Sequence, residues 1–176
     1  MNGETAFFAA WKDYYTIIGS AAAGLTGLVF VVMTLVAARR NSGVTGYGTS
    51  IFSSPTVVLF CAALFISGVC TAPWPSPGVA GTLIGLSGLA GVVYALRIGY
   101  RTTQLETYAA DPADWIWFTV LPFVASLAVC ISGFMLVHAP VPAAYALAGA
   151  AMALLFIGIH NAWDVITYMV IDAAEE

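Results

Sequence analysis

Charge is what this chain has least of. Asp, Glu, Lys and Arg together make up 8 % of its 176 residues, against about 25 % in ordinary soluble domains. So few charges cannot dress a folded surface in water, and a soluble globule is excluded. Lysine occurs once, at Lys12, outside every apolar core, so no lysine is placed for a Schiff base inside a membrane. Five Lys and Arg stand against nine Asp and Glu, for a net charge of -4. No basic cluster forms, which argues against nucleic acid and against a polybasic arm on anionic lipid.

Metal-binding and redox chemistry is equally thin. Cys61, Cys70 and Cys130 are odd in number, lie inside apolar stretches and have no C-x-x-C spacing, so they read as small buried hydrophobes. His138 and His160 are the two histidines, and they fall near opposite ends of neighbouring segments, so one chain cannot place both on one haem iron. No cofactor and no metal is expected. A secretory signal peptide is not expected either, because no basic region precedes the first apolar run and no cleavage site follows it.

What is abundant is apolar length. Hydrophobic residues reach 61 % and mean hydropathy is +0.93. Five runs stand out, at about 14–38, 55–72, 78–100, 115–137 and 143–171. About 20 apolar residues cross the roughly 30 Å hydrocarbon layer as a helix, and a barrel strand needs only about 9 to 11 alternating ones. The expected fold is therefore all-α: a single transmembrane domain over residues 1–176, a bundle of five membrane-spanning helices. Ser54-Pro55, Ser76-Pro77 and Asp111-Pro112 each set a capping side chain before a proline, whose missing N–H costs nothing at a first helical position. Phe7, Phe8, Trp11, Tyr14 and Tyr15 predict a short helix on the outer surface over residues 3–13. Pro122 lies well inside the fourth run and should kink it and free a carbonyl.

Orientation follows from the arginines. Arg39 and Arg40 close the first run, Arg97 and Arg101 the third, and Lys/Arg are retained on the cytoplasmic side. Five crossings then put the N-terminus outside and the acidic tail, Asp172, Glu175 and Glu176, inside. Interfacial aromatic belts account for Trp11, Tyr14, Tyr15, Trp74, Tyr100, Trp115, Trp117, Trp163 and Tyr168 near the run ends.

In lipid, helices associate by close approach over small residues rather than by apolar burial. Gly81, Gly85 and Gly88 continue through Val92, Ala95 and Gly99 as a smooth stripe on the third run, and Gly19, Ala23 and Gly27 form another on the first. Packing inside one bundle and an interface between copies are both consistent with these stripes. The polar group His160, Asn161, Asp164 on the fifth run is the leading candidate site, since a charge at mid-helix in a bilayer costs about 2.5 to 3.5 kcal/mol and is retained for a reason. Asp164 near the cytoplasmic boundary could also pair with Arg97 or Arg101. Gly85-Leu86-Ser87-Gly88 matches the G-x-S-G of rhomboid-type proteases. Ser87 lies about 15 Å below Pro77 and His160 about 27 Å below Pro142, too unequal in depth for a nucleophile and its base.

Ala23-Gly24-Leu25-Thr26-Gly27-Leu28-Val29-Phe30-Val31 and Asn161-Ala162-Trp163 resemble a widespread group of uncharacterised small bacterial membrane proteins, which pair an A-x-L-T-G-L-x-F-V first helix with an N-A-W last helix. The resemblance covers about 30 residues at the two ends of the chain. It implies a five-helix, multi-pass protein of the bacterial inner membrane and carries no activity, cofactor or site with it.

The reading that follows is a membrane-embedded homo-oligomer forming a small channel or transport-like pore, with Asp164, His160 and Asn161 at its cytoplasmic mouth and Arg97 or Arg101 as counter-charges. A non-catalytic membrane subunit that docks a partner protein is the alternative. An intramembrane enzyme ranks third, because no nucleophile, metal or acid–base pair assembles at matching depth.

Overall fold

The computed structural model describes residues 3–39, 49–74, 76–104 and 112–175. Five helices fill them: α1 (Gly3–Arg39), α2 (Thr49–Thr71), α3 (Pro77–Thr103), α4 (Pro112–Met135) and α5 (Pro140–Glu175). Four of them are long and apolar enough to cross a membrane, and α2 contributes a shorter apolar stretch, Pro55–Thr71. At 1.5 Å per residue that stretch is about 26 Å long, slightly under the thickness of the hydrocarbon layer. The chain is an all-helical, multi-pass membrane bundle.

Several boundaries differ from the sequence expectation. No break separates a surface helix at residues 3–13 from the first span; α1 is one helix from Gly3 to Arg39, since nothing between Trp11 and Thr16 interrupts the backbone ladder. Helix α2 begins at Thr49, so Pro55 lies inside it. A proline one to two turns in removes one bond of the ladder without ending it, and Ser54-Pro55 is not a helix entry. The proline-led start holds at Pro77, where Ser76 is extended at φ -148° and ψ 147° but its side chain makes no cap bond. Asp111 lies outside the described residues. Helix α5 starts at Pro140, earlier than expected, because Pro140 and Pro142 both fall in the first turn, where no N–H is needed.

Successive helices run in opposite directions. The start of α3 meets the end of α4 at Gly81 and Gly133, and its end meets the start of α4 at Gly99 and Thr119. Early α1 meets late α2 at Gly19 and Ser67, and Trp117 near the start of α4 meets His160 in late α5. Arg97, Arg101, the first turns of α4 and the His160 to Asp164 stretch therefore share one end of the bundle.

Packing order is α1, α2, α5, α4, α3, with α5 wedged between α2 and α4. Phe60, Ile18, Ile66, Ile84, Leu147, Leu154 and Val129 are buried along these contacts. Large apolar side chains such as Ile17, Leu28, Leu35, Leu96 and Phe156 point outward, as a surface solvated by lipid requires. Cys61 also faces outward, while Cys70 is buried and Cys130 half-buried. Most hydroxyls inside the spans donate to a carbonyl of the preceding turn, as Ser67 does to Ala63 at 2.8 Å and Ser132 to Ala128 at 2.6 Å, so they need no partner from another helix.

At the opposite end, aromatic edges tie α1 to α5. Trp11 stands edge-on to Tyr14 at 5.8 Å and to Tyr145 at 5.0 Å between ring centres, and the Tyr14 hydroxyl donates to the Ala148 carbonyl at 2.6 Å. Interhelical hydrogen bonds in membranes contribute about 0.6 kcal/mol on average and at most about 1.7. Tyr14→Phe is expected to lose an amount in that range, read as a lower midpoint for unfolding in detergent.

Candidate functional site

The site is built on an irregular turn of α4. Residues Ile116–Val120 form a π-helical turn between the α-helical segments Pro112–Trp115 and Leu121–Met135, and the Leu121 N–H donates to the Ile116 carbonyl five residues back. The next donor in that register would be residue 122, which is a proline and has no N–H. The acceptor left over is the carbonyl of Trp117. Asn161 of α5 fills the vacancy, donating its Nδ2 to that carbonyl at 3.2 Å. Pro122 thus frees a carbonyl, and a side chain from the neighbouring helix satisfies it.

Asn161 is completely buried. Its Oδ1 has no hydrogen-bond partner among the described residues, and neither has the buried Nδ1 of His160. The His160 imidazole lies flat on the Trp117 indole, with ring centres 3.6 Å apart and planes within 6°. Trp117 is therefore an interior partner rather than an interfacial anchor. Asp164, one turn beyond His160, is exposed, as is Trp163. A third orphan atom, the Thr56 Oγ1, stands in the wall of a crevice of about 20 Å³ formed with Val29, Val32, Met33, Ala162, Val165 and Ile166. That volume is the size of one water, but Thr56 is the one polar side chain in the wall, short of the two to four polar partners a held water needs.

Arg97 and Arg101 lie at the same end but on a different wall. Both are exposed on the outward side of α3, and α4 lies between α3 and α5. The expected counter-charge role toward His160 and Asp164 does not form, because the smooth side of α3 turns toward α4 and leaves its arginines facing out.

The glycine stripes part in the same way. A Cβ at Gly81 would fall 2.6 Å from the Gly133 carbonyl oxygen, and one at Gly85 would fall 2.8 Å from the Phe134 ring; one at Gly88 would enter the Cys130 backbone. Those three glycines are engaged within the chain. On α1, Gly19 meets Ser67, whereas Gly24 and Gly27 have nothing within 4 Å among the described residues and Ala23 is exposed. Ser87 donates to the Ile84 carbonyl at 2.8 Å and is on α3, one helix removed from His160. Among the described residues, no group of three or more His, Cys, Asp or Glu gathers to hold a metal ion.

Against known protein families, curated proteins and solved structures, the chain has no match. The resemblance to small bacterial membrane proteins rests on its two end motifs alone, and the site has to be read from its own geometry. Sequence reasoning found His160, Asn161 and Asp164 but missed Trp117, whose role depends on the π turn. The signal lay in Pro122, which announces a spare carbonyl four or five residues earlier.

Proposed function

We infer that this is a multi-pass protein of the bacterial inner membrane, with its N-terminus outside and its C-terminus in the cytoplasm, that works as a homo-oligomer forming a small channel or transport-like pore. One observation carries the reading: His160 Nδ1 and Asn161 Oδ1 are buried polar atoms without partners among the described residues, held beside a π-helical turn inside the spans. An unsatisfied buried polar group costs about 1 to 3 kcal/mol, and π turns recur at functional sites. Atoms kept ready in this way suit a guest that brings its own hydrogen bonds, namely water, a proton or a hydrated ion. The arginine-bearing end is cytoplasmic by the retention of Lys/Arg on that side.

A single chain encloses too little volume for a conduction path among its described residues. The path then runs between copies, and the open side of α1 at Ala23, Gly24 and Gly27 gives a second backbone room to approach. No catalytic step is assigned to the chain.

Liposomes carrying the purified protein test the reading. Native protein is expected to pass protons or monovalent cations, and His160→Ala with Asp164→Asn is expected to cut the flux at least about tenfold, the factor given by 1.4 kcal/mol of lost site energy. Absence of flux from native, correctly oligomeric protein would remove the proposal. The same open side of α1 also favours a non-catalytic subunit that docks a partner membrane protein. Stoichiometric co-purification of one partner, together with a monomeric state on its own, would select that reading.

A further inference from the structure

Helix α3 presents an outward face that neither the bundle nor the proposed pore uses. Leu86, Leu89, Val93, Leu96 and Tyr100 recur at steps of three and four, and Arg97 and Arg101 follow Val93 at steps of four, so they share one side of the helix. Leu96 is 57 % exposed and Tyr100 is 69 % exposed. The lower part of this face, Val93, Leu96, Arg97, Tyr100 and Arg101, forms one shallow, open surface on a single helix.

Two features identify an occupant. From Leu86 to Leu96 the apolar stripe rises about 15 Å, which is the depth of one leaflet of a roughly 30 Å hydrocarbon layer. Directly beyond it stand two adjacent positive charges, one turn apart, with a tyrosine between them in sequence. Acyl chains laid along the leucines would bring a phosphate to the height of the guanidiniums, which recognise phosphate oxygens by paired N–H donors. The geometry points to a binding site for one anionic glycerophospholipid of the arginine-side leaflet, its tails along Leu86 to Leu96 and its phosphate held by Arg97 and Arg101. This is a two-point site on one helix, not a polybasic arm, and it is independent of whether the protein conducts.

The test is native mass spectrometry of the full chain released from detergent, titrated with phosphatidylglycerol or with phosphatidylcholine of the same acyl chains. Native protein is expected to retain phosphatidylglycerol in preference to phosphatidylcholine. Near a membrane surface each arginine is expected to contribute about 5-fold in affinity for anionic lipid, so Arg97→Gln with Arg101→Gln together should weaken phosphatidylglycerol binding about 30-fold. Lysine at both positions should recover part of the loss, because charge returns without the paired donors. Lys12→Gln, at the other end of the bundle, should leave retention unchanged. Both arginine side chains are exposed, so the double variant should keep native helicity by circular dichroism. Equal retention of the two lipids, unchanged binding by the double variant, or full displacement by inorganic phosphate or by an acidic peptide at equal concentration would each overturn the assignment.

Discussion

Gly88→Leu is expected to prise α3 from α4 and to be the most damaging single change in the bundle. At Gly88 a Cβ would lie 2.6 Å from the Cys130 Cα and 2.9 Å from its Cβ. The obstacle is backbone, so rotamer changes in a neighbour cannot relieve it. Overpacking costs about 1 to 3 kcal/mol where side chains can adjust, and a loss of about 3 kcal/mol or more is expected here. Gly133, whose added Cβ would reach the Gly85 backbone at 2.8 Å, should respond alike. Gly24→Leu is the control. A Cβ there meets nothing within 4 Å among the described residues, and the change should leave the stability of a single chain within about 0.5 kcal/mol. Denaturant titration in detergent micelles measures all three, and a Gly88→Leu variant as resistant as native protein would show that the two helices do not approach so closely.

Replacing Asn161 with alanine should cost at most about 1.7 kcal/mol, because the Trp117 carbonyl would then be stranded in a nonpolar interior while the unpartnered Oδ1 is removed with the side chain. The dependence on Pro122 makes this a sharper test than a single variant. In Pro122→Ala the residue regains an N–H, which in the i−5 register meets the same carbonyl. Asn161→Ala should then cost about 1 kcal/mol less in that background than in native protein, a coupling within the usual range for groups that share a partner. Strict additivity of the two changes would break the link between the proline and the asparagine. Partial unfolding read by tryptophan fluorescence suits the measurement, since Trp117 itself stacks on His160.

The all-helical class, with four long apolar helices and one shorter one, was legible in the sequence because it depends on apolar length. Starts were less legible. Ser54-Pro55 and Ser76-Pro77 look alike as dipeptides, yet one is internal and the other is a true entry, because a proline in the second turn and one at the first position are both tolerated. For the site, the polarity of His160 and Asn161 within an apolar run was legible. Their partner could not be read from pattern, since it depends on one extra residue in a turn of α4. The expected pairing of Asp164 with Arg97 or Arg101 failed for a reason of neighbourhood: sequence gives the end of the bundle on which charges sit but not which helices adjoin. The same limit applied to the stripes, where Gly81, Gly85 and Gly88 proved to be filled from within and the upper part of α1 did not.

The central place of α5 bears on how the protein is made. Helices α1 and α2 form one antiparallel pair and α3 and α4 another, and the two pairs touch each other far less than each touches α5. Translation delivers α5 after the other four helices, so until it enters the bilayer the earlier hairpins have little to hold them together, and the Trp117 carbonyl waits without Asn161. Assembly of the bundle thereby waits on synthesis of α5, and a chain stalled after Met135 would leave two loosely associated hairpins exposed to membrane quality control.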